Sequence, residues 1–293
     1  MAWTLTGDVA EYLAVAGDFL RARAAQNTVQ LGATETIRVQ GAAAFGDDAP
    51  LFGWWAAPGG PVTAAFMHTP PFGVTLTPSP AAVAAALAET LAARGRSLSG
   101  VMADTATAPS FAAAWEQRTG QPFRPGRRTR MYRLGRLQPP YPAPPGRARV
   151  AAPADSGLLV AWLEAFHDEA VNEGRPANER TVADRLSYGG LTLWETGDGP
   201  VSLAGVTRAV AGQARIGPVY TPPERRGRGF GGAVTAAVSQ AAKDAGVAEV
   251  LLFTDLANPT SNALYHRLGY QPVSDSIELH FPPAPARRQE ATE

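Results

Sequence analysis

Residues 224–232 read Glu224-Arg225-Arg226-Gly227-Arg228-Gly229-Phe230-Gly231-Gly232, between an apolar run and an Ala/Val-rich run. Glycines at this spacing let successive backbone N–H groups converge with no side chain in the way. A helix starting there adds its unsatisfied first-turn donors and the positive end of its dipole. Such a loop suits the holding of a pyrophosphate, with Arg225, Arg226 and Arg228 as cationic support. The competing local reading is an ordinary Gly-rich turn carrying solvated arginines. Two other phosphate loops fit less well. A nucleotide-hydrolysing loop needs Gly-Lys followed by Ser or Thr, and Lys243 is the sole lysine of the chain. Gly227, Gly229 and Gly232 can be threaded onto Gly-x-Gly-x-x-Gly with Asp255 beyond them. Antiparallel hairpins, however, are expected before the loop, where a doubly wound sheet should begin.

Other chemistries are excluded by composition. The chain has no cysteine, which removes disulfides, thiolate metal sites and a Cys nucleophile together. His68, His167, His266 and His280 are its four histidines and lack metal-ligand spacing, so no metal is expected. Lys plus Arg and Asp plus Glu both number 26, which argues against a globally basic nucleic-acid binder. No apolar run nears the ~18 residues of a bilayer span. The first residues lack the basic-then-apolar order of a signal peptide. A soluble, cytoplasmic protein with neither nucleic acid nor membrane as partner is the expectation.

The elements that must position the loop divide near the middle of the chain. With 293 residues, 45% of them apolar, two cores are affordable. Five prolines between Pro139 and Pro145 cannot continue a helix or central strand and favour an extended, semi-rigid spacer. The expected organisation is a domain at 1–137, a linker at 138–146, a second domain at 147–282 and a polar tail at 283–293. In the first half the patterns predict helices at 9–24, 81–93 and 110–119. Strands are predicted there at 51–56, 62–68, 73–77, 98–102 and 130–134. The second half predicts strands at 149–151, 191–195, 201–210, 213–220, 249–253 and 277–281. Its helices follow Asp155, span 178–186, run from the Gly-rich loop to about 245, and span 261–268. The fold class expected is α/β with an α+β-type mixed sheet. Trp115–Pro122 and Tyr265–Pro272 echo each other at an offset of 150 residues, the trace expected of a duplicated domain.

Two motifs in this order carry a resemblance. Arg226-x-x-Gly229-x-Gly231 matches the Arg/Gln-x-x-Gly-x-Gly/Ala motif, and Asn258…Leu264-Tyr265-x-x-Leu268-Gly269-Tyr270 matches Asn…Leu-Tyr-x-x-Leu-Gly-Phe/Tyr. Over about 147–282 the chain thus resembles the GNAT superfamily of acyl-CoA N-acyltransferases. The resemblance implies two GNAT-like domains, the second with central strands splayed around acyl-CoA. Backbone groups of Val219 and Thr221 would then meet the pantetheine arm. The amides of Arg226, Gly227, Arg228, Gly229, Phe230 and Gly231 would hold the pyrophosphate. Asn258 and Asn262 would bond to pantetheine or cap the helix. Tyr265 is implied as the general acid, since a phenol of pKa about 10 suits a thiolate whose own pKa is about 8.5.

The family's usual base, a carboxylate on the fourth strand, has no counterpart in Gln213–Tyr220. Glu195 and Asp255 are the nearest candidates by topology, and His167 and Glu169 face the acceptor side in this reading. The first half lacks the Gly-rich motif; its equivalent, Thr75–Pro80, has prolines where amides are needed, and Trp115 replaces the tyrosine. It is read as a degenerate copy. The function implied is direct transfer from acetyl-CoA to a primary amine on a small molecule, without metal, by a chain free to form a homodimer. A non-catalytic acyl-CoA sensor and a mycothiol-synthase-like tandem acetyltransferase are the alternatives.

Overall fold

A computed structural model describes residues 2–170 and 179–282; the expected tail at 283–293 and the start of the helix at 178–186 lie outside the described residues. The chain forms two compact units. Among the described residues, unit 1 comprises 2–22, 36–128 and 275–282, and unit 2 comprises 23–35, 129–170 and 179–274.

Unit 1 contains β1 (Ala2–Thr6), β2 (Leu51–Ala56), β3 (Val62–His68), β4 (Val74–Leu76) and β5 (Gly100–Asp104) in that sheet order. Helix α1 (Val9–Arg21) follows β1, α3 (Ala81–Ala93) links the parallel strands β4 and β5, and α4 (Thr107–Thr119) follows β5. Its core gathers Trp3, Phe66, Leu87, Leu91, Phe111, Trp115 and Phe281. Trp115 stacks on Phe111 and Phe281 and donates from Nε1 to Gln121 Oε1 at 2.9 Å, so it is a core residue.

Unit 2 repeats this plan. Strands β7 (Arg147–Val150), β8 (Leu191–Thr196), β9 (Gly199–Val206) and β10 (Gln213–Tyr220) run antiparallel to their neighbours. Helix α7 (Phe230–Asp244) then carries the chain to β11 (Glu249–Asp255), parallel to β10. Helices α5 (Ser156–Ala170) and α6 (Glu179–Leu186) precede β8, and α8 (Pro259–Arg267) follows β11. The mixed α/β class is as expected. Ala211 and Gly212 both adopt positive φ where Val210 bridges Gln213, giving the tight turn before β10.

The closing strands depart from a linear division. Strand β12 (Tyr270–His280) pairs its residues 276–280 with β5, antiparallel, within unit 1. Strand β6 (Arg124–Leu134) pairs its residues 129–133 with β11 within unit 2. Packing therefore regroups the halves expected at 1–137 and 147–282. Two elements escaped the sequence patterns, β1 and α2 (Thr28–Gln40). Helix α2 is rich in β-branched residues and contains Gly32, poor helix formers that burial of Thr28, Leu31, Thr34 and Ile37 compensates. The proline segment at 138–146 is fastened rather than free. Gln138 N donates to the Leu268 carbonyl at 3.0 Å, and Trp194 Nε1 donates to the Pro145 carbonyl at 2.9 Å.

Candidate functional site

The site begins where two neighbouring strands separate. Parallel pairing of β10 with β11 runs from Gln213 opposite Glu249 to Ile216 opposite Leu252 and then stops. Beyond it β10 remains on β9, with Val219 opposite Ala204, after a register shift that falls between Ile216 and Val219. Pro218 has no N–H with which to extend the ladder. The edges of β10 and β11 facing one another after residues 216 and 252 are thus free of each other. Val219 and Thr221 lie on this freed stretch and its exit. Thr221 Oγ1 is 2.8 Å from Ser202 Oγ, and its carbonyl accepts from Arg226 Nε at 2.8 Å.

From Thr221 the chain makes a short 3-10 turn, Pro223–Arg225, and enters α7 through Gly229. Gly227 and Gly229 have φ of +75° and +83°, the left-handed region glycine occupies without a Cβ penalty. The helix has no side-chain cap. Consequently the amides of Gly227, Arg228, Gly229, Phe230, Gly231 and Gly232 have no hydrogen-bond partner among the described residues. A row of free N–H groups at the positive end of a 15-residue helix is a ready anion cradle. Space is tight at the next two glycines as well: a Cβ on Gly231 would sit 3.3 Å from Thr221 Oγ1, and one on Gly232 3.0 Å from Leu264 Cδ1, so either side chain would have to give way. Arg226 is not a free cation beside this row. Its Nη2 meets Glu169 Oε2 at 2.5 Å, while its guanidinium lies 5.8 Å from the Tyr220 ring centre. Arg226 braces the loop, and Arg228 is exposed.

Tyr265, the residue after Leu264, is buried at 8% exposure, with its ring edge-on to Tyr270 at 6.1 Å. Burial pushes its phenol up to about 12. Its hydroxyl has no hydrogen-bond partner among the described residues, whereas the Tyr270 hydroxyl is spent on Ser239 Oγ at 2.6 Å.

Residues 199–277, which hold the splayed strand, the cradle and Tyr265, match the family model described as FR47-like protein. Among solved structures, a GCN5-related N-acetyltransferase from Sphaerobacter thermophilus superposes with a TM-score of 0.60, at 20% identity over 94% of each chain. A GNAT-family acetyltransferase from Colwellia psychrerythraea gives 0.57, at 11% identity over 96% of this chain and all of that one. A tandem GNAT protein of the clavulanic acid biosynthesis pathway gives 0.58, at 14% identity over 97% and 100%. No curated relative matches at significance. The chain has the GNAT fold.

Within this GNAT fold several expected ligand contacts are committed to the fold itself. Asn258 is the N-cap of α8, its side chain accepting from Ser261 N at 3.0 Å. Asn262 donates from Nδ2 to the carbonyls of Asp255 and Asn258, at 2.9 and 2.7 Å, and accepts from the Tyr132 hydroxyl at 3.0 Å. Glu195 pairs with Arg149 at 3.2 Å, and that arginine is also held by both oxygens of Asp155, so its charge is locked on. The Asp255 carboxylate accepts from Ala257 N at 2.8 Å in the turn that starts α8. Neither candidate base stands free at the splay. His167 is half-buried on α5, and Glu169 serves Arg226 and, at 3.4 Å, the Tyr220 hydroxyl. In the first half, Thr77 N donates to the Ala65 carbonyl and Ser79 N to Thr107 Oγ1, leaving no row of free amides at 77–80. Among the described residues no cluster of His, Asp and Glu could hold a metal, and no helix is long and apolar enough to cross a membrane.

Sequence reasoning named Arg226 and Glu169 of the bracing trio Glu169–Arg226–Tyr220, but not the ion pair that joins them. Its signal was the 3.6-residue phase of α5, which turns Glu169 toward the end of β10.

Proposed function

We propose that this chain is an acyl-CoA-dependent N-acyltransferase that uses acetyl-CoA and a primary amine on a small molecule. The observation that carries the proposal is the parting of β10 and β11 beside six consecutive amides with no internal acceptor. The cradle would take the pyrophosphate, and the freed edges near Val219 and Thr221 would take the pantetheine arm. The acceptor amine attacks the thioester carbonyl, forming the C–N bond and expelling the thiolate as the C–S bond breaks. Tyr265 gives its phenolic proton to that thiolate. The proton released by the amine leaves through water, since Glu195 and Asp255 are otherwise engaged. Binding both substrates beside each other supplies much of the rate by orientation alone. Unit 1 acts as a degenerate copy without a cradle, and the protein works in the cytoplasm.

The engaged carboxylates favour one second reading, a non-catalytic acyl-CoA sensor. Release of free thiol from acetyl-CoA across a panel of amines separates the two. Tight CoA binding with no release above the enzyme-free rate sinks the enzyme reading for those amines.

A further inference from the structure

Two arginines lie around the last β10–β11 pairs with no carboxylate at ion-pair distance among the described residues: Arg215 is still opposite Leu251 in the ladder, and Arg185 reaches the strand just past its end. Arg215, on β10, donates from Nη1 to the Thr28 carbonyl at 2.6 Å and reaches Thr28 Oγ1 at 3.5 Å. Arg185, on α6, donates from Nη1 to the Gly217 carbonyl at 2.9 Å, one residue past the last β10–β11 pair. Arg215 and the Gly217 carbonyl that holds Arg185 are two residues apart on β10. Among the described residues neither arginine has an acidic partner at ion-pair distance. Asp184, adjacent to Arg185 in sequence, is taken bidentately by Arg208 at 2.9 Å through each nitrogen.

The surroundings are cut to admit these guanidiniums. A Cβ on Gly205 would lie 2.5 Å from Arg185 Nη1, and one on Gly32 would lie 3.2 Å from Arg215 Nη2. Neither glycine has a positive φ, so backbone conformation does not call for glycine there. At Gly32 the neighbouring atoms are those of Arg215, while at Gly205 a Cβ would also meet the Gly217 carbonyl oxygen at 2.7 Å, so that glycine serves the strand packing as well as Arg185. Burial dominates the titration of both, drawing Arg215 down to about 10 with help from the Arg185 charge. Both residues nevertheless keep partial solvent access. Arginine this deep is normally paired, and two like charges facing each other in a low-dielectric setting repel. Peptide carbonyls alone leave that charge uncompensated.

We propose that Arg185 and Arg215 bind an oxyanion carried by the acceptor, so that the substrate is an amine that also bears a carboxylate or phosphate. The inference rests on the acyltransferase reading for its amine, and on the arginine pair alone for its anion. The planar donor fork of each guanidinium matches either oxyanion, and the oxyanion would fix the acceptor while its amine enters the splay.

The test uses the full chain and a probe that needs no turnover. Trifluoroacetate and its neutral counterpart trifluoroacetamide are titrated by fluorine NMR, with and without saturating CoA so that the amide cradle is filled in one arm. Trifluoroacetate should bind and trifluoroacetamide should not, and Arg215→Gln or Arg185→Gln should weaken the anion at least tenfold. Arg215→Lys, which keeps the charge, should restore part of that loss. CoA affinity, measured by calorimetry, should stay within twofold in each variant that folds. A matched acceptor panel then sorts the sources. An amino acid against its amide reads the carboxylate, and an amino sugar phosphate against the free amino sugar reads the phosphate. Equal binding of the two fluorinated probes, or anion binding unchanged in both glutamine variants, overturns the proposal. Loss of CoA binding by the wild-type chain would instead sink the acyl-CoA reading and leave the anion arm standing.

Discussion

Arg226 and Glu169 meet at 2.5 Å across the mouth of the amide cradle, joining the end of α5 to the loop that starts α7. The same guanidinium donates to the Thr221 carbonyl, so one side chain fastens both ends of the loop. Both partners are more than 40% exposed, which limits the pair to under about 1 kcal/mol of stability. Arg226→Ala should therefore leave the melting temperature within a few degrees while weakening CoA several-fold. Calorimetric titration beside a thermal melt reads both. Unchanged CoA affinity would show that the loop keeps its shape unaided.

Gly229→Val places a β-branched side chain at φ +83°, a strain on the order of 1–3 kcal/mol. It also sets a side chain among the free amides. CoA binding should be abolished, and a variant that binds CoA like the wild type would mean that the cradle lies elsewhere.

Tyr265→Phe should keep CoA affinity and folding stability, because the hydroxyl it deletes has no partner among the described residues. Turnover should fall by about 10²–10⁴, the usual contribution of a general acid. The phenol, pushed up to about 12, stays protonated through the working range. No loss of rate from its ionisation is expected as pH rises to about 10. Full activity of the phenylalanine variant would remove Tyr265 from the acid role.

His68 supplies a pH dependence of stability in unit 1. It is 2% exposed, its Nδ1 has no hydrogen-bond partner among the described residues, and burial with the Arg96 charge lowers its pKa to about 4. The folded state therefore holds the imidazole neutral at pH values where the unfolded chain protonates it, near the ordinary value of about 6.5. The contribution is complete above that pH and is lost as pH falls from about 6.5 toward 4, on the order of 3 kcal/mol across the window. Urea midpoints at pH 7 and pH 4.5 should differ more for the wild type than for His68→Gln. Parallel slopes would assign the acid sensitivity to other groups.

How much could be read in advance depended on range. Strands Leu51–Ala56, Val62–His68 and Gln213–Tyr220 and the helix Ala81–Ala93 have the expected bounds, because alternation or an apolar face writes them locally. The Gly-rich loop is local too, and so is Tyr265 within its motif. What long-range contact decides was not readable. Nothing near Pro139–Pro145 announces that Trp194 will donate to Pro145, and nothing near Ser276 names Asp104 as its partner. Asn258 and Asn262 show the opposite limit. Their motif was visible, yet in the fold their polar atoms cap α8 and tie β11 to it. Arg185 and Arg215 carried no pattern at all, since their meaning lies in what is missing opposite them.

The crossed assignment of β6 and β12 bears on how the protein can be made. A nascent chain leaving the ribosome reaches Leu134 with β5 still waiting for residues 276–280, which come more than a hundred positions later. Unit 1 thus cannot finish folding in the usual order, first half before second. Expressing 1–137 alone should strand β5 with a bare, sticky edge, and expressing 147–282 alone should do the same to β11. The two genes-in-one arrangement that the duplicated motifs suggest is not divisible at the protein level.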